Sequence, residues 1–314
     1  MREDKKTGFT RLDPNDDLVK MLISEIWWNE LVKLSHEDKD INIQLRPHSI
    51  NVYSKMGNLL KIRLQEKKIC CTLHYKYLIA PKKPEYVNIT NVNGHLKVIA
   101  DDEGSKIKGN ICPHIEDILQ PLNLKVIKAN IATYVGKEKI IQSQLVEKNK
   151  DTILDVEVAF SEKSGHDDSD REDTRIDFIN FDKITGKLVL VELKQIFDGR
   201  LYSNDINKQI KKYYAFAIKN EVRIIEAYQN VIKTKKKLGI IKEKSYLAKV
   251  EISAIEPRPL LVIAGFNQNV IDGLSDKIIS HLQESIYENR LAGLYFFGKD
   301  VDLNMHKQKN KKLF

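Results

Sequence analysis

Two apolar runs joined by a short polar turn constrain the fold of this chain more than any other feature. Residues 175–181 and 188–194 flank the segment 182–187, in which Gly186 can adopt the left-handed backbone conformation that a tight turn needs. This arrangement predicts a β-hairpin. The second run is apolar at positions 188–191, which is typical of a strand that is covered on both faces.

Three charged residues, Asp177, Glu192 and Lys194, stand out in this apolar context. The antiparallel register that pairs Asp182 with Lys187 also pairs Asp177 with Glu192, so we expect their Cβ atoms to lie about 4.5–5.5 Å apart. Lys194 follows Glu192 by two residues and therefore shares its face of the strand. Charges at the end of a buried strand are costly unless they bind something, which favours a functional site.

The trio has the composition of a hydrolytic metal site. Adjacent carboxylates repel each other unless a cation lies between them, and Mg²⁺ or Mn²⁺ prefers oxygen ligands. A lysine beside such an ion can orient or deprotonate an attacking water and stabilise negative charge on a phosphoryl group. The alternative is a solvated salt-bridge cluster on an edge strand. Other acidic-x-Lys triplets, at 3–5, 37–39 and 66–68, do not end an apolar strand that follows such a hairpin.

The residues Arg-Ile-Asp177 and Val-Glu192-Leu-Lys194 resemble the core hairpin of the PD-(D/E)xK, or restriction-endonuclease-like, nucleases. Downstream, Gln209 and Tyr213 lie four residues apart on a predicted helix and resemble the QxxxY element of the RecB-like and NucS-like branches. A spacing of four places both side chains on one helical face. The resemblance covers residues 131–220 well and extends loosely to 297.

The resemblance implies specific roles for these residues. Asp177 and Glu192 would ligate one or two Mg²⁺ or Mn²⁺ ions, with the backbone carbonyl of Leu193 as a further metal ligand. Lys194 would position the nucleophilic water. Gln209 would hold a phosphate, a water or a metal ligand.

The family also usually has an acidic residue on the helix before the first core strand. The stretch 138–149 resembles that helix and favours Glu138 as the residue that faces the site. Helical phase leaves Glu147 open, and Glu157 on the following strand is a third candidate. Ile176, where the family name implies proline, is a common departure.

The length of 314 residues and the change in sequence pattern predict two domains. Residues 1–125 are expected to form a smaller, mostly β domain with an initial helix, serving recognition or oligomerisation. Asp13 and Pro14 are expected to begin that helix, and the tandem Trp27 and Trp28 are interpreted as core residues. Residues 126–314 are expected to form an α/β nuclease domain, a restriction-endonuclease-like mixed sheet flanked by helices.

The second domain is predicted element by element. Helices are expected at 131–148, 204–220, 221–237 and 270–287, and strands at 153–160, 175–181, 188–194, 260–265 and 293–297. The acidic stretch 166–173 lacks the spacing of a calcium-binding loop and is interpreted as a solvated loop.

Composition and cysteine usage set the context of the protein. The chain carries 52 Lys and Arg against 44 Asp and Glu, a net charge of +8 that favours a polyanionic partner. No long apolar run suggests a membrane span or a signal peptide, and adjacent Cys70 and Cys71 among three cysteines argue for reduced thiols, so a cytoplasmic location is expected. A zinc site from these cysteines with His74, Cys112 and His114 is disfavoured because no paired CxxC spacing supports it.

The expected function is therefore a metal-dependent nuclease, most favourably a DNA endonuclease in restriction, repair or anti-phage defence. The alternative is a catalytically inactive nucleic-acid-binding module that keeps the nuclease fold. A homo-oligomer or a defence-system partner stays open, as do the choice between DNA and RNA, the strandedness of the substrate, and endo- or exonucleolytic action. The motifs of P-loop NTPases, serine hydrolases and zincins are absent from the sequence.

Overall fold

The computed structural model describes residues 16–78, 87–92, 95–100, 110–111, 114–163, 171–266 and 268–297. The described helices are α1 Asp16–Ser24, α2 Ile26–Glu37, α3 Ile115–Leu119, α4 Pro121–Tyr134, α5 Lys137–Lys148, α6 Asp205–Lys219, α7 Glu221–Lys237 and α8 Gln268–Tyr287. The described strands are β1 Ile41–Arg46, β2 Ser49–Ser54, β3 Gly57–Gln65, β4 Lys68–His74, β5 Val87–Val92, β6 His95–Ala100, β7 Asn110–Ile111, β8 Ile153–Lys163, β9 Arg171–Asp182, β10 Lys187–Gln195, β11 Ala254–Ala264 and β12 Gly293–Phe297.

The described residues form two compact units. The N-terminal unit contains residues 16–143 together with the short segment 234–243, and the C-terminal unit contains residues 144–233 and 244–297. Helices α5 and α7 each begin in one unit and end in the other. Along the sequence, the chain therefore returns to its N-terminal unit after most residues of the C-terminal unit.

The N-terminal unit is built on an antiparallel sheet in the order β1-β2-β3-β4-β7, with β5 and β6 as a separate antiparallel pair. The predicted first helix is two helices, because Glu25 has an extended backbone between α1 and α2. Asp13 and Pro14, its predicted start, lie outside the described residues.

The tandem tryptophans belong to the core of the N-terminal unit, as predicted. Trp27 and Trp28 are 7% and 1% exposed. The indole N–H of Trp28 donates to the carbonyl of Leu238 at 3.1 Å, and a ring nitrogen of His36 lies 3.0 Å from the carbonyl of Ile240. The segment 234–243 thus supplies partners for buried or half-buried polar groups of α2.

The C-terminal unit contains a five-stranded mixed sheet in the order β12-β11-β10-β9-β8. Strands β8, β9 and β10 are antiparallel neighbours, whereas β10, β11 and β12 are parallel. Helices α6 and α8 pack with β11 and β12 around a core of Ile206, Ile210, Leu261, Ile263, Ile278, Leu282, Leu294 and Phe296. An α/β fold with an N-terminal β sheet and a C-terminal mixed sheet is confirmed.

Several predicted boundaries are wrong in informative ways. The single helix expected over 131–148 is two helices, because Val135 has an extended backbone between α4 and α5. Strands β8 and β9 are longer than predicted: residues 171–173 of the acidic stretch, interpreted from the sequence as loop, belong to β9, and residues 166–170 of it lie outside the described residues. Among the described helices, none has the length and apolarity to cross a membrane.

Candidate active site

The hairpin of β9 and β10 adopts the predicted register. Lys187 pairs with Asp182, and the ladder continues in step to Val191 and Phe178. One further step places Asp177 opposite Glu192. At this point a side chain rather than the backbone of β9 accepts the hydrogen bond from β10: the Leu193 N–H donates to Asp177 Oδ2 at 2.8 Å.

The Glu192 carboxylate is the centre of the group. Its Oε1 accepts hydrogen bonds from the Lys194 ammonium and, at 2.7 Å, from Gln209 Nε2. Its Oε2 accepts from the Tyr213 hydroxyl at 3.0 Å. The side chains of Lys194 and Glu192 are only 3% and 7% exposed. Such burial is tolerable because each charge is balanced and hydrogen-bonded.

Tyr213 connects α6 with strands β9 and β10 through its hydroxyl group. Its hydroxyl on α6 also donates to the carbonyl of Arg175 on β9, and it accepts from Gln209 Nε2 at 2.7 Å. Burial raises the pKa of the Tyr213 phenol, and the negative charge of Glu192 raises that pKa further. Tyr213 is therefore protonated at neutral pH, and its single hydroxyl proton is donated either to Glu192 Oε2 or to the Arg175 carbonyl.

The loop after β10 adds a second acid near Lys194 that the sequence reasoning missed. Asp198 accepts from the Arg200 backbone N–H at 3.0 Å and from Arg200 Nε at 2.9 Å. The hydrogen bond from the Arg200 side chain lowers the pKa of Asp198 despite partial burial, and the charge of Lys194 contributes in the same direction. Only the closeness of Asp198 to Lys194 in sequence could have signalled this.

The three candidates for a further acidic residue lie on α5 and β8. Glu138 lies in the first turn of α5, in the N-terminal unit, and Glu147 lies later in the same helix. On β8, the pairs on either side of Glu157 place it opposite Asp177, and its φ of 49° is unusual for a residue other than glycine. Nevertheless, no group of three His, Cys, Asp or Glu residues in the described parts of the chain is arranged to hold a metal ion.

The oxygen atoms around Glu192 are of the type that a hard divalent cation prefers as ligands. Asp177 and Glu192 offer carboxylate oxygens, and Gln209 Oε1 is buried without a hydrogen-bond partner among the described residues. Mg²⁺ is commonly held by one or two carboxylates while keeping several waters. Glu192 Oε1 already accepts two hydrogen bonds, whereas Oε2 accepts one and keeps a lone pair that an ion could use. The Leu193 carbonyl stays a predicted ligand.

The disfavoured zinc site has only a partial counterpart. Cys71 and His114 line one cavity of about 330 Å³ in the N-terminal unit, together with Trp27, Lys67 and Lys68 among others. Cys70 and Cys71 carry no disulfide. Cys112 lies outside the described residues.

Comparison with known proteins returned no family model, no curated protein and no solved structure that matches this chain.

Proposed function

We propose that this protein is a metal-dependent nuclease that hydrolyses phosphodiester bonds, with DNA as the favoured substrate. The proposal is carried by the convergence of Lys194, Gln209 and Tyr213 on the carboxylate of Glu192. The resemblance to PD-(D/E)xK nucleases named these positions from two separate stretches of sequence. Their convergence in one buried group supports a shared chemical role.

In this hydrolysis a water oxygen bonds to phosphorus while the bond from phosphorus to the leaving oxygen breaks, and a proton reaches the leaving oxygen. A Mg²⁺ or Mn²⁺ ion held by Asp177 and Glu192 would polarise the phosphate and lower the pKa of a bound water. The Lys194 ammonium would donate to the attacking water or to a phosphoryl oxygen. Gln209 and Tyr213 would hold the Glu192 carboxylate in one orientation.

A cytoplasmic DNA endonuclease in restriction, repair or anti-phage defence is the setting that we propose, with Glu138 as the favoured further acidic residue. A homo-oligomer or a defence-system partner is compatible with it. The second candidate is a nucleic-acid-binding module that lacks catalysis. It is favoured by one observation, the direct contact of the Lys194 ammonium with Glu192, which already balances the carboxylate charge without a metal ion.

A cleavage assay tests the proposal. Circular, linear and single-stranded DNA and RNA would be incubated with wild-type protein in Mg²⁺, Mn²⁺ or EDTA. We expect metal-dependent cleavage that falls on the order of 10²-fold or more in Asp177→Asn and Lys194→Ala, because each removes a group from the reacting centre. Lys187→Gln, at the other end of β10, is the control and should retain activity.

Folding of each variant would be checked by thermal unfolding, because Lys194 is buried. Cleavage in EDTA, or full activity in both site variants, would overturn the assignment. Binding of nucleic acid without cleavage in any metal would favour the inactive module. Titration with Mn²⁺ followed by electron paramagnetic resonance gives an independent readout, in which Asp177→Asn should weaken ion binding.

A further inference from the structure

Helix α6 presents a row of lysines to solvent. Lys208, Lys211, Lys212 and Lys219, here called the lysine stripe, lie within a narrow arc of the helix because their spacings follow the helical period. Lys208, Lys211 and Lys219 are exposed, and Lys212 is half-buried. The opposite face of the helix is buried against the sheet through residues such as Ile206 and Ile210.

The stripe borders the candidate active site. Gln209 and Tyr213, which contact Glu192, project from the same helix. Lys212 follows Gln209 by three residues and is therefore its neighbour on the helix surface. A ligand bound along the stripe would thus approach the side of α6 from which Gln209 reaches Glu192.

The net charge of α6 is opposite in sign to that of the helix packed beside it. The sequence of α6 contains four lysines and a single acidic residue, Asp205, which pairs with Lys208 at 3.0 Å. Helix α8 packs beside α6 in the same unit, yet it carries acidic residues at 272, 276 and 284 against the single Lys277. The two adjacent helices therefore carry opposite net charge, and of the two it is α6 that complements a polyanion.

We propose that the lysine stripe binds successive backbone phosphates of the nucleic acid strand that is cleaved at Glu192 and Lys194. The inference rests on the proposed nuclease function and extends it by naming the surface that holds the substrate. From Lys208 to Lys219 the helix rises about 16 Å, at about 1.5 Å per residue. That length spans about five phosphates of one strand, at about 3.4 Å per nucleotide.

Salt dependence of binding tests this proposal. The anisotropy of a fluorescein-labelled DNA duplex, and of its single strand, would be measured in EDTA between about 50 and 200 mM salt. The triple variant Lys208→Gln/Lys211→Gln/Lys219→Gln should bind more weakly, with a slope of log K against log salt that is smaller by about 2 to 3 for duplex DNA. The triple variant Lys183→Gln/Lys233→Gln/Lys277→Gln removes the same charge elsewhere in the unit and should change the slope much less.

The outcomes separate this proposal from the nuclease function. If wild-type protein cleaves DNA with Mg²⁺ but the stripe variant keeps the wild-type slope, the stripe is not the binding surface, although the nuclease function holds. Equal effects of the two triple variants would also overturn the stripe, because they would reflect net charge alone. If the salt dependence of binding falls only in the stripe variant while wild-type protein cleaves no nucleic acid, the stripe is the binding surface but the protein is not a nuclease. Equal unfolding temperatures would confirm that both variants are folded.

Discussion

At the scale of single residues, the candidate site depends on how Glu192 is held. A buried carboxylate is costly unless its oxygens receive hydrogen bonds and its charge is balanced. Here Lys194 and Gln209 donate to one oxygen and Tyr213 to the other. The orientation of Glu192 is therefore fixed by residues of both the sheet and α6.

Replacing Tyr213 by Phe should loosen this arrangement. The variant leaves the Arg175 carbonyl and Glu192 Oε2 without their shared donor, and we expect the free energy of unfolding to fall by about 1–3 kcal/mol. Urea unfolding followed by circular dichroism measures the change. Tyr214→Phe, at the next position of the same helix, is the control and should change stability by less than about 0.5 kcal/mol. Equal losses in the two variants would remove the special role of the Tyr213 hydroxyl.

The backbone of Glu157 provides a second prediction at this scale. Its φ of 49° lies in the left-handed region, where a side chain is disfavoured and glycine is not. We therefore expect Glu157→Gly to unfold at a higher temperature than Glu157→Ala, by an amount equivalent to about 1 kcal/mol. Thermal unfolding of the two variants makes this comparison directly.

Ala159, two residues further along β8, supplies the matched control. It has no left-handed backbone, so Ala159→Gly should be less stable than the wild-type protein. A Glu157→Gly variant no more stable than Glu157→Ala would show that the positive φ does not persist in solution.

At the scale of elements, the β9–β10 hairpin was the most predictable part of the fold. Its turn contains a glycine suited to a left-handed position, and its strands are long and apolar, so local sequence and burial favour the same register. The boundaries of the helices were harder to predict from the sequence. The residues 131–148 are compatible with a single helix, and the break at Val135 depends on tertiary context that the periodicity does not encode.

Gly186 tests the role of the turn. Its φ is +69°, and a Cβ added there would meet no atom within 4 Å, so the cost of Gly186→Ala should come from the backbone alone. We expect a loss of about 1–2 kcal/mol in the free energy of unfolding. Gly199→Ala also meets no atom, at a position without a positive φ, and should be nearly neutral. The denaturant midpoints of the two variants measure these changes, and a Gly186→Ala variant as stable as the wild-type protein would contradict the turn geometry.

At the scale of the whole molecule, the chain crosses between its two units more than once. Residues 234–243 belong to the N-terminal unit although they follow most of the C-terminal unit in sequence. Besides the contacts to Trp28 and His36, the buried ammonium of Lys235 donates to Gln44 at 2.8 Å. Part of the N-terminal core is therefore completed late in the chain.

A fragment of residues 1–143 should show this dependence. Without residues 234–243, Trp28 and Gln44 lose hydrogen-bond partners in positions where burial makes that loss costly. We expect the fragment to have red-shifted tryptophan fluorescence and a shallower unfolding transition than the full chain. A synthetic peptide of residues 234–243, added in excess, should reverse part of the shift. A fragment that unfolds like the full chain, with or without the peptide, would contradict the prediction.

The sequence by itself determined the hairpin, its register, the face shared by Glu192 and Lys194, and the pairing of Gln209 with Tyr213 along one helix. These features depend on neighbours within a strand, a turn or a helix, where the periods of two and 3.6 residues fix which side chains meet. Only the tertiary structure decided that Gln209 and Tyr213 contact Glu192 and that residues 234–243 complete the N-terminal unit. Such contacts join residues distant in sequence, and they depend on how elements pack, which local patterns do not encode.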